Sequence, residues 1–168
     1  KIIINSLFYT KIMSLFDNIL KDSESLFLDP IALDYDYQPK LVPYRESHQK
    51  FMAECIKPLF QDRNGKNLFI FGPPGIGKTV SAKHVLNELY QESENIIPIY
   101  INCWKLDTPH KIALEICDKL NYKFIHNKDT VDLLKDIAKI LNKKAAVIVL
   151  DEIDKLIDKS ILYFLTEE

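Results

Sequence analysis

One stretch constrains the fold of this chain more than any other: a short apolar run, a turn rich in glycine and proline, and then a helical pattern. It reads "NLFIFGPPGIGKTVSAKHVL" over residues 67–86. The apolar run, Asn67–Phe71, predicts a buried strand, and the three-and-four spacing of apolar residues after Lys78 predicts a helix. A strand that passes through a bare turn directly into a helix is typical of α/β folds.

The turn matches the pattern G-x-x-x-x-G-K-[S/T] at every fixed position, in the strand and helix setting that this pattern requires. Glycines let backbone N–H groups curl around phosphate oxygens, and the helix N-terminus adds partial positive charge. We expect Lys78 to reach the β- and γ-phosphates and the Thr79 hydroxyl to ligate Mg²⁺. The alternative is a turn that is merely rich in glycine. The predicted nucleotide contacts in this segment are Gly72, Pro73, Pro74, Gly75, Ile76, Gly77, Lys78, Thr79 and Val80.

A second apolar run ends in acids, in the sequence "VIVLDEID". It places Asp151 and Glu152 at the carboxyl end of a predicted strand, where open α/β sheets bind ligands. Asp151 is predicted to hold Mg²⁺ through its water shell, and Glu152 to polarise the attacking water as general base. Glu152 and Lys78 are thus the catalytic candidates. The alternative is a pair of surface acids in a turn, and Asp154 is interpreted as a helix-start or solvent residue.

The remaining pattern alternates strands and helices. Residues 97–102 and 145–150 are short, nearly continuous apolar runs, which are typical of strands buried on both faces of a parallel sheet. Helices are predicted over residues 44–60 with a break near Pro58, and over 79–90, 109–120, 130–141 and 154–168. Residues 1–43 are predicted to form an N-terminal arm, of which 1–12 are expected to lie outside the native reading frame, since Met13 opens a more natural start.

Composition sets limits on function. A formal net charge of -2 gives no global basic field, so contact with nucleic acid would need a local patch. Cys55, Cys103 and Cys117 lack ligand spacing and are predicted to be reduced, buried thiols. The histidines are scattered, so no metal site made of protein ligands alone is predicted. No run approaches the roughly 20 apolar residues that span a bilayer, and a cytoplasmic protein is expected.

Taken together, "DYQPKLVPYRESHQ", "NLFIFGPPGIGKT", "IYINCWKLDTPHKIALEICDKL" and "VIVLDEIDKL" with the later "LYFL" resemble a known family. The resemblance, over residues 23–165, is to archaeal replication initiators of the origin-recognition and cell-division-control type, in the AAA+ superfamily. It implies a P-loop NTPase fold, a three-layer sandwich with a parallel sheet, whose core is residues 44–168. It also implies ATP hydrolysis as a conformational switch. The implied partners are ATP or ADP, double-stranded DNA at replication origins and other AAA+ protomers, with no membrane.

The resemblance also implies roles for individual residues. Val42, Pro43, Tyr44 and Arg45 would lie against the adenine. Residues 106–128 would form a helical insertion that touches DNA. Its lysines are Lys111, Lys119, Lys123 and Lys128, for which a solvated face is the alternative interpretation.

The sequence departs from the family after the helix that follows Asp151. The next strand, the arginine finger, the lid domain and the C-terminal winged helix, expected to carry most of the DNA contact, are not found in it. We therefore interpret it as an incomplete, N-terminal part of a longer ATPase, with a gap in the sheet between the strands of Lys78 and Asp151. Two alternatives stay open: an AAA+ ATPase acting on protein partners in signalling, defence or transposition, and a nucleotide-binding remnant that does not hydrolyse.

Overall fold

The computed structural model describes residues 44–167, so the predicted arm, with Val42 and Pro43, lies outside the described residues. The contacts divide the chain into residues 1–37 and 38–168, and the described residues belong to the second unit. Two strands, β1 and β2, and five helices, α1 to α5, form in the described part. In chain order the elements are α1 (Glu46–Ile56), a 3-10 turn (Lys57–Gln61), α2 (Lys78–Glu92), β1 (Ile96–Asn102), α3 (Pro109–Lys119), α4 (Thr130–Leu141), β2 (Ala145–Asp151), a 3-10 turn (Ile153–Lys155) and α5 (Ser160–Glu167).

The two strands form a parallel pair whose register runs from Ile96 opposite Ala145 to Asn102 opposite Asp151. Side chains alternate between the faces of a strand, so odd-numbered β1 residues share a face with even-numbered β2 residues. That face packs into the main core with α3, α4 and α5. The fully buried members of this core include Ile99, Ile101, Ile112, Ile116, Leu133, Ile137 and Ile161.

The opposite face of the pair meets α2, with α1 packed beyond it. Helices therefore cover both faces of a parallel sheet, as the fold class predicted from the sequence requires. The fold-class prediction is confirmed. Four apolar residues of α2, at three-and-four spacing, are buried, namely Ala82, Val85, Leu86 and Leu89.

The helix starts follow the local sequence. Thr108 precedes α3 and its hydroxyl accepts the Lys111 N–H, while Pro109 takes the first helical position, where no N–H partner is needed. Asp129 precedes α4 and its carboxylate accepts the Asp132 N–H at 2.8 Å. Both helices begin where the pattern predicted, at residues 109 and 130.

The prediction of a strand over Asn67–Phe71 is wrong. These residues have no regular secondary structure, and Phe69 and Phe71 are 67% and 81% exposed. Their two rings stack on each other, with centroids 6.1 Å apart. An apolar run becomes a strand only where a neighbouring strand satisfies its backbone N–H and C=O groups. Within residues 44–167 the sheet contains β1 and β2 alone, and this segment pairs with neither of them.

The single helix predicted over residues 154–168 is also wrong in its start, because α5 begins at Ser160. The Asp158 carboxylate accepts the backbone N–H of Ser160 at 2.8 Å and its hydroxyl at 2.9 Å. Such a side chain competes with helical backbone bonds and favours a turn. In contrast, the break predicted near Pro58 is confirmed, since α1 ends at Ile56 and continues as a 3-10 turn.

Candidate nucleotide-binding site

The segment Gly72–Thr79, here called the phosphate loop, leads into α2. Gly75 and Gly77 have φ angles of 76° and 85°, in the left-handed region where a Cβ is strained. Gly77 is the residue just before α2, and no side chain caps this helix. The N–H groups of the first helical turn therefore have no side-chain acceptor from that position, and they provide a place where an anion binds favourably.

The Lys78 ammonium folds back over the loop that precedes it. It donates hydrogen bonds to the carbonyl oxygens of Gly72, at 2.9 Å, and Pro73, at 2.8 Å. Gly72 cannot carry a Cβ here without moving Ile76, whose Cδ1 atom would be 2.7 Å away. The main chain of the loop therefore binds the Lys78 ammonium through two carbonyl oxygens. Pro73, Pro74 and Gly75 are exposed, whereas residues 76–80 are half-buried.

The Thr79 hydroxyl connects the phosphate loop to the C-terminal end of β2. It donates a hydrogen bond of 2.7 Å to Oδ2 of Asp151. Two residues separated by 72 positions in sequence therefore meet, one at the start of α2 and the other at the end of β2. The structure brings together the loop and the acid that the sequence predicted to act together.

Two further donors hold the Asp151 carboxylate. The Tyr100 hydroxyl donates to the same oxygen, Oδ2, at 2.7 Å, and the backbone N–H of Glu152 donates to Oδ1 at 3.1 Å. The Asp151 main-chain carbonyl accepts the N–H of Cys103 at 2.9 Å, which continues the strand pairing by one residue. Sequence reasoning missed Tyr100. Alternation along "IPIYIN" could have found it, because that pattern puts Tyr100 on the face opposite Ile99 and Ile101.

Thr79 and Asp151 fit a magnesium ion by the chemistry of their donor atoms. Both offer hard oxygens, and Mg²⁺ in proteins takes one or two such ligands together with waters and substrate phosphate oxygens. Among the described residues no group of three or more His, Cys, Asp or Glu side chains could hold a metal. This pair would therefore hold the ion only together with oxygen atoms from waters and from a bound phosphate compound.

Glu152 lies one residue beyond the strand, in the left-handed backbone conformation with φ 58° and ψ 41°. Its side chain is exposed. A non-glycine residue in this conformation is uncommon, and such residues cluster at functional sites. The structure thus places Glu152 beside Asp151 at the strand tip, as the sequence predicted.

The predicted adenine contacts are less well placed. Tyr44 is 92% exposed and has a φ angle of 65°, so its side chain packs against little of the described chain. Arg45 is half-buried at the start of α1. Val42 and Pro43 lie outside the described residues. Within the described residues, Tyr44 and Arg45 do not form an adenine-binding surface with each other.

Three of the four lysines predicted to contact DNA have carboxylate partners. Lys111 pairs with Asp107 at 2.8 Å and Lys119 with Glu115 at 3.4 Å. Lys128 pairs with Asp136. Neutralised lysines attract phosphates less strongly, so this geometry favours the solvated-face interpretation. The fourth, Lys123, is exposed in the loop between α3 and α4.

The Lys128–Asp136 pair belongs to a small polar cluster. The Asp136 carboxylate also accepts from Tyr122, at 2.9 Å, and from Lys139, at 3.0 Å. Hydrogen bonds from Lys128, and then from Lys139 and Tyr122, hold the pKa of Asp136 well below its usual range. The bonds that Lys128 donates to Asp136 and Tyr122 raise the pKa of Lys128. The cluster ties the loop after α3 to α4.

The three cysteines are buried and free, as predicted. Cys103 lies directly after β1, beside the candidate site. Burial, and secondly the negative charge of Asp151, raise the pKa of its thiol to about 11. A thiol with so high a pKa is a poor nucleophile, so Cys103 acts as a core residue.

Known proteins resemble this chain in sequence. The family model described as "AAA domain" matches residues 61–167. An ORC1-type DNA replication protein 1 from Sulfurisphaera tokodaii is 38% identical over 138 residues, which cover 78% of this chain and 35% of that protein. This chain therefore spans about a third of that relative's length.

None of the helices within residues 44–167 has the length and apolar composition that a membrane-spanning helix needs.

Solved structures show the same likeness. The Aeropyrum pernix ORC1 protein in complex with DNA matches with a TM-score of 0.65 and 28% identity, over 74% of this chain and 34% of that one. The Aeropyrum pernix ORC2 protein, in ADPNP–ADP complexes, matches in fold with a TM-score of 0.69 and 21% identity, over 84% of this chain and 40% of that one. The chain therefore belongs to the AAA domain family, and its resemblance to archaeal ORC1-type replication proteins is confirmed.

Proposed function

We propose that this chain is the ATP-binding module of an archaeal DNA replication initiator, and that it binds ATP with Mg²⁺ at the phosphate loop and Asp151. One observation carries the proposal: the 2.7 Å hydrogen bond between the Thr79 hydroxyl and the Asp151 carboxylate. It places an oxygen ligand from a helix start beside a carboxylate from a strand tip, next to a loop that already holds an ammonium. That combination suits a triphosphate and its magnesium ion better than any neutral ligand.

Hydrolysis is part of the proposal. Lys78 would exchange its two loop carbonyls for phosphate oxygens and stabilise the negative charge that develops there. Glu152 would take the proton of the attacking water, and its exposed side chain at the strand tip leaves it accessible to water. Bound Mg²⁺ supplies further neutralisation of phosphate charge. The resulting change between ATP and ADP states would serve as a conformational switch.

We propose origin DNA as the partner of the whole protein, together with other AAA+ protomers, in the cytoplasm. The support is the likeness to ORC1-type replication proteins, one of which, from Aeropyrum pernix, has been solved in complex with DNA. The pairing of Lys111, Lys119 and Lys128 with carboxylates suggests that residues 106–128 contribute weakly to this contact.

Equilibrium binding of fluorescent ATP to the full 168-residue chain, with Mg²⁺ present, tests the site. We expect Lys78→Ala to weaken binding about 10- to 100-fold, because it removes a charge-assisted contact to phosphate. Lys135→Ala is the matched control, since Lys135 is exposed on α4, on the other side of the sheet from α2. Equal affinity of wild type and Lys78→Ala would refute the proposed site.

A further inference from the structure

We propose that Tyr100 is a positioning residue, whose hydroxyl fixes the Asp151 carboxylate in the orientation that holds magnesium beside the nucleotide. The inference rests on the proposed function and assigns to it a residue outside both sequence motifs. Tyr100 lies on β1 opposite Val149, on the sheet face that meets α2, and its hydroxyl lies 2.7 Å from Oδ2 of Asp151.

The argument begins with the acceptor capacity of Asp151. An ionised carboxylate has two oxygens, each with about two lone-pair directions. Oδ2 accepts from both Thr79 and Tyr100, and Oδ1 accepts from the Glu152 N–H. The protein therefore occupies Oδ2 fully and leaves one acceptor direction on Oδ1. That remaining direction suits a proton of a metal-bound water.

Thr79 and the Glu152 N–H constrain the carboxylate less than the three donors do together. The terminal torsion of an aspartate is broad, and the Glu152 N–H, from the adjacent residue, makes the longest of the three bonds at 3.1 Å. The Tyr100 hydroxyl adds a donor from the neighbouring strand at 2.7 Å, so the carboxylate is held from both α2 and β1. Loss of the Tyr100 donor would therefore spread the orientations of Asp151 without changing the loop that binds phosphate.

Tyr100 is itself held firmly. Its neighbours along β1, Ile99 and Ile101, are 0% and 1% exposed and anchor the backbone in the core. The Lys83 ammonium, from α2, lies 4.8 Å from the centroid of the Tyr100 ring. A donor supported in this way costs little further ordering when a ligand binds, which is the requirement for a preorganised site.

The test is Tyr100→Phe in the full 168-residue chain, with fluorescent ATP titrated in excess Mg²⁺ and, separately, in EDTA. We expect the affinity in Mg²⁺ to fall about three- to tenfold, because one of three donors to a charged group is lost. The affinity in EDTA should stay within error of wild type, since the phosphate loop is unchanged. Tyr90→Phe is the matched control, because Tyr90 is 71% exposed near the end of α2.

The outcomes separate this inference from the proposed function. If Tyr100→Phe matches wild type in both conditions, or loses equal affinity in both, the positioning role is refuted and the nucleotide site stands. If wild type and Lys78→Ala bind ATP equally, the site itself is refuted and the role of Tyr100 falls with it. A loss confined to the Mg²⁺ titration supports both.

Discussion

The segment Asn67–Phe71 gives the sharpest stability prediction, because sequence and structure assign it opposite environments. If it were a buried strand, truncating Phe71 would cost about 3–5 kcal/mol, as for core phenylalanines in general. In the structure Phe71 is 81% exposed, and its ring stacks on that of Phe69. The variant Phe71→Ala therefore distinguishes the two cases.

The magnitude follows from the exposure. Full burial of a phenylalanine contributes about 1.5–3 kcal/mol, and Phe71 buries about a fifth of its surface, so the transfer contribution is a few tenths of a kcal/mol. The stacked pair adds about 0.5–1.5 kcal/mol, less in an exposed setting. We expect Phe71→Ala to lower the free energy of unfolding by less than about 1.5 kcal/mol. The comparison variant Ile99→Ala, at a fully buried position, should cost about 2–5 kcal/mol.

Urea unfolding of the three proteins, followed by circular dichroism, provides the measurement. The midpoint of Ile99→Ala should drop well below that of Phe71→Ala, with similar slopes for all three. A loss for Phe71→Ala as large as that for Ile99→Ala would mean that the segment is buried in solution, and the description of it as an exposed loop would be wrong.

Two further predictions concern the helices around the main core. Asp136→Asn should lower the thermal midpoint at pH 7. Hydrogen bonds from Lys128, Lys139 and Tyr122 lower the pKa of Asp136 in the folded protein, so its contribution is present above the unfolded value near 4 and is lost as the pH falls below it. The difference from wild type should therefore shrink in acid, and a constant difference from pH 7 to pH 2 would contradict the assignment. Asp129→Ala should cost about 1 kcal/mol in urea unfolding, because it removes the side chain that accepts the Asp132 N–H at the start of α4. Asp129→Asn, which keeps an acceptor oxygen, should cost less, and equal losses for the two variants would exclude a capping role.

The spacing of apolar residues predicted the helices whose positions depend mainly on nearby residues. The helices over residues 79–90, 109–120 and 130–141 were readable because their apolar spacing, and for the last two also their starting residues, agree with the observed elements. The pairing of Thr79 with Asp151 followed from chemistry, since a phosphate loop needs a nearby carboxylate to hold a metal ion. Agreement between local preference and tertiary packing made these assignments reliable.

Contacts between residues far apart in sequence determined two features that the local pattern missed. Residues 67–71 have the composition of a strand, but strand formation depends on a hydrogen-bonding neighbour, which composition does not specify. Tyr100 was missed for a related reason: alternation along β1 gives the face on which it lies, but only the register between β1 and β2 puts its hydroxyl next to Asp151. The start of α5 is an exception with a local cause: the Asp158 side chain forms a turn with Ser160, whereas apolar spacing alone extends the helix back to residue 154.

The two carbonyl contacts of Lys78 have a consequence for selectivity. The ammonium has three donors, of which two bind Gly72 and Pro73, so an anion that engages more than the third must replace one of these hydrogen bonds, and its net gain is the difference between the bonds made and those broken. A small anion such as chloride makes too few contacts to compensate for that loss. Under the proposed function, a chain of linked phosphates would engage the ammonium and several main-chain N–H groups together, and the loop would discriminate among anions by the number of oxygens they offer at once.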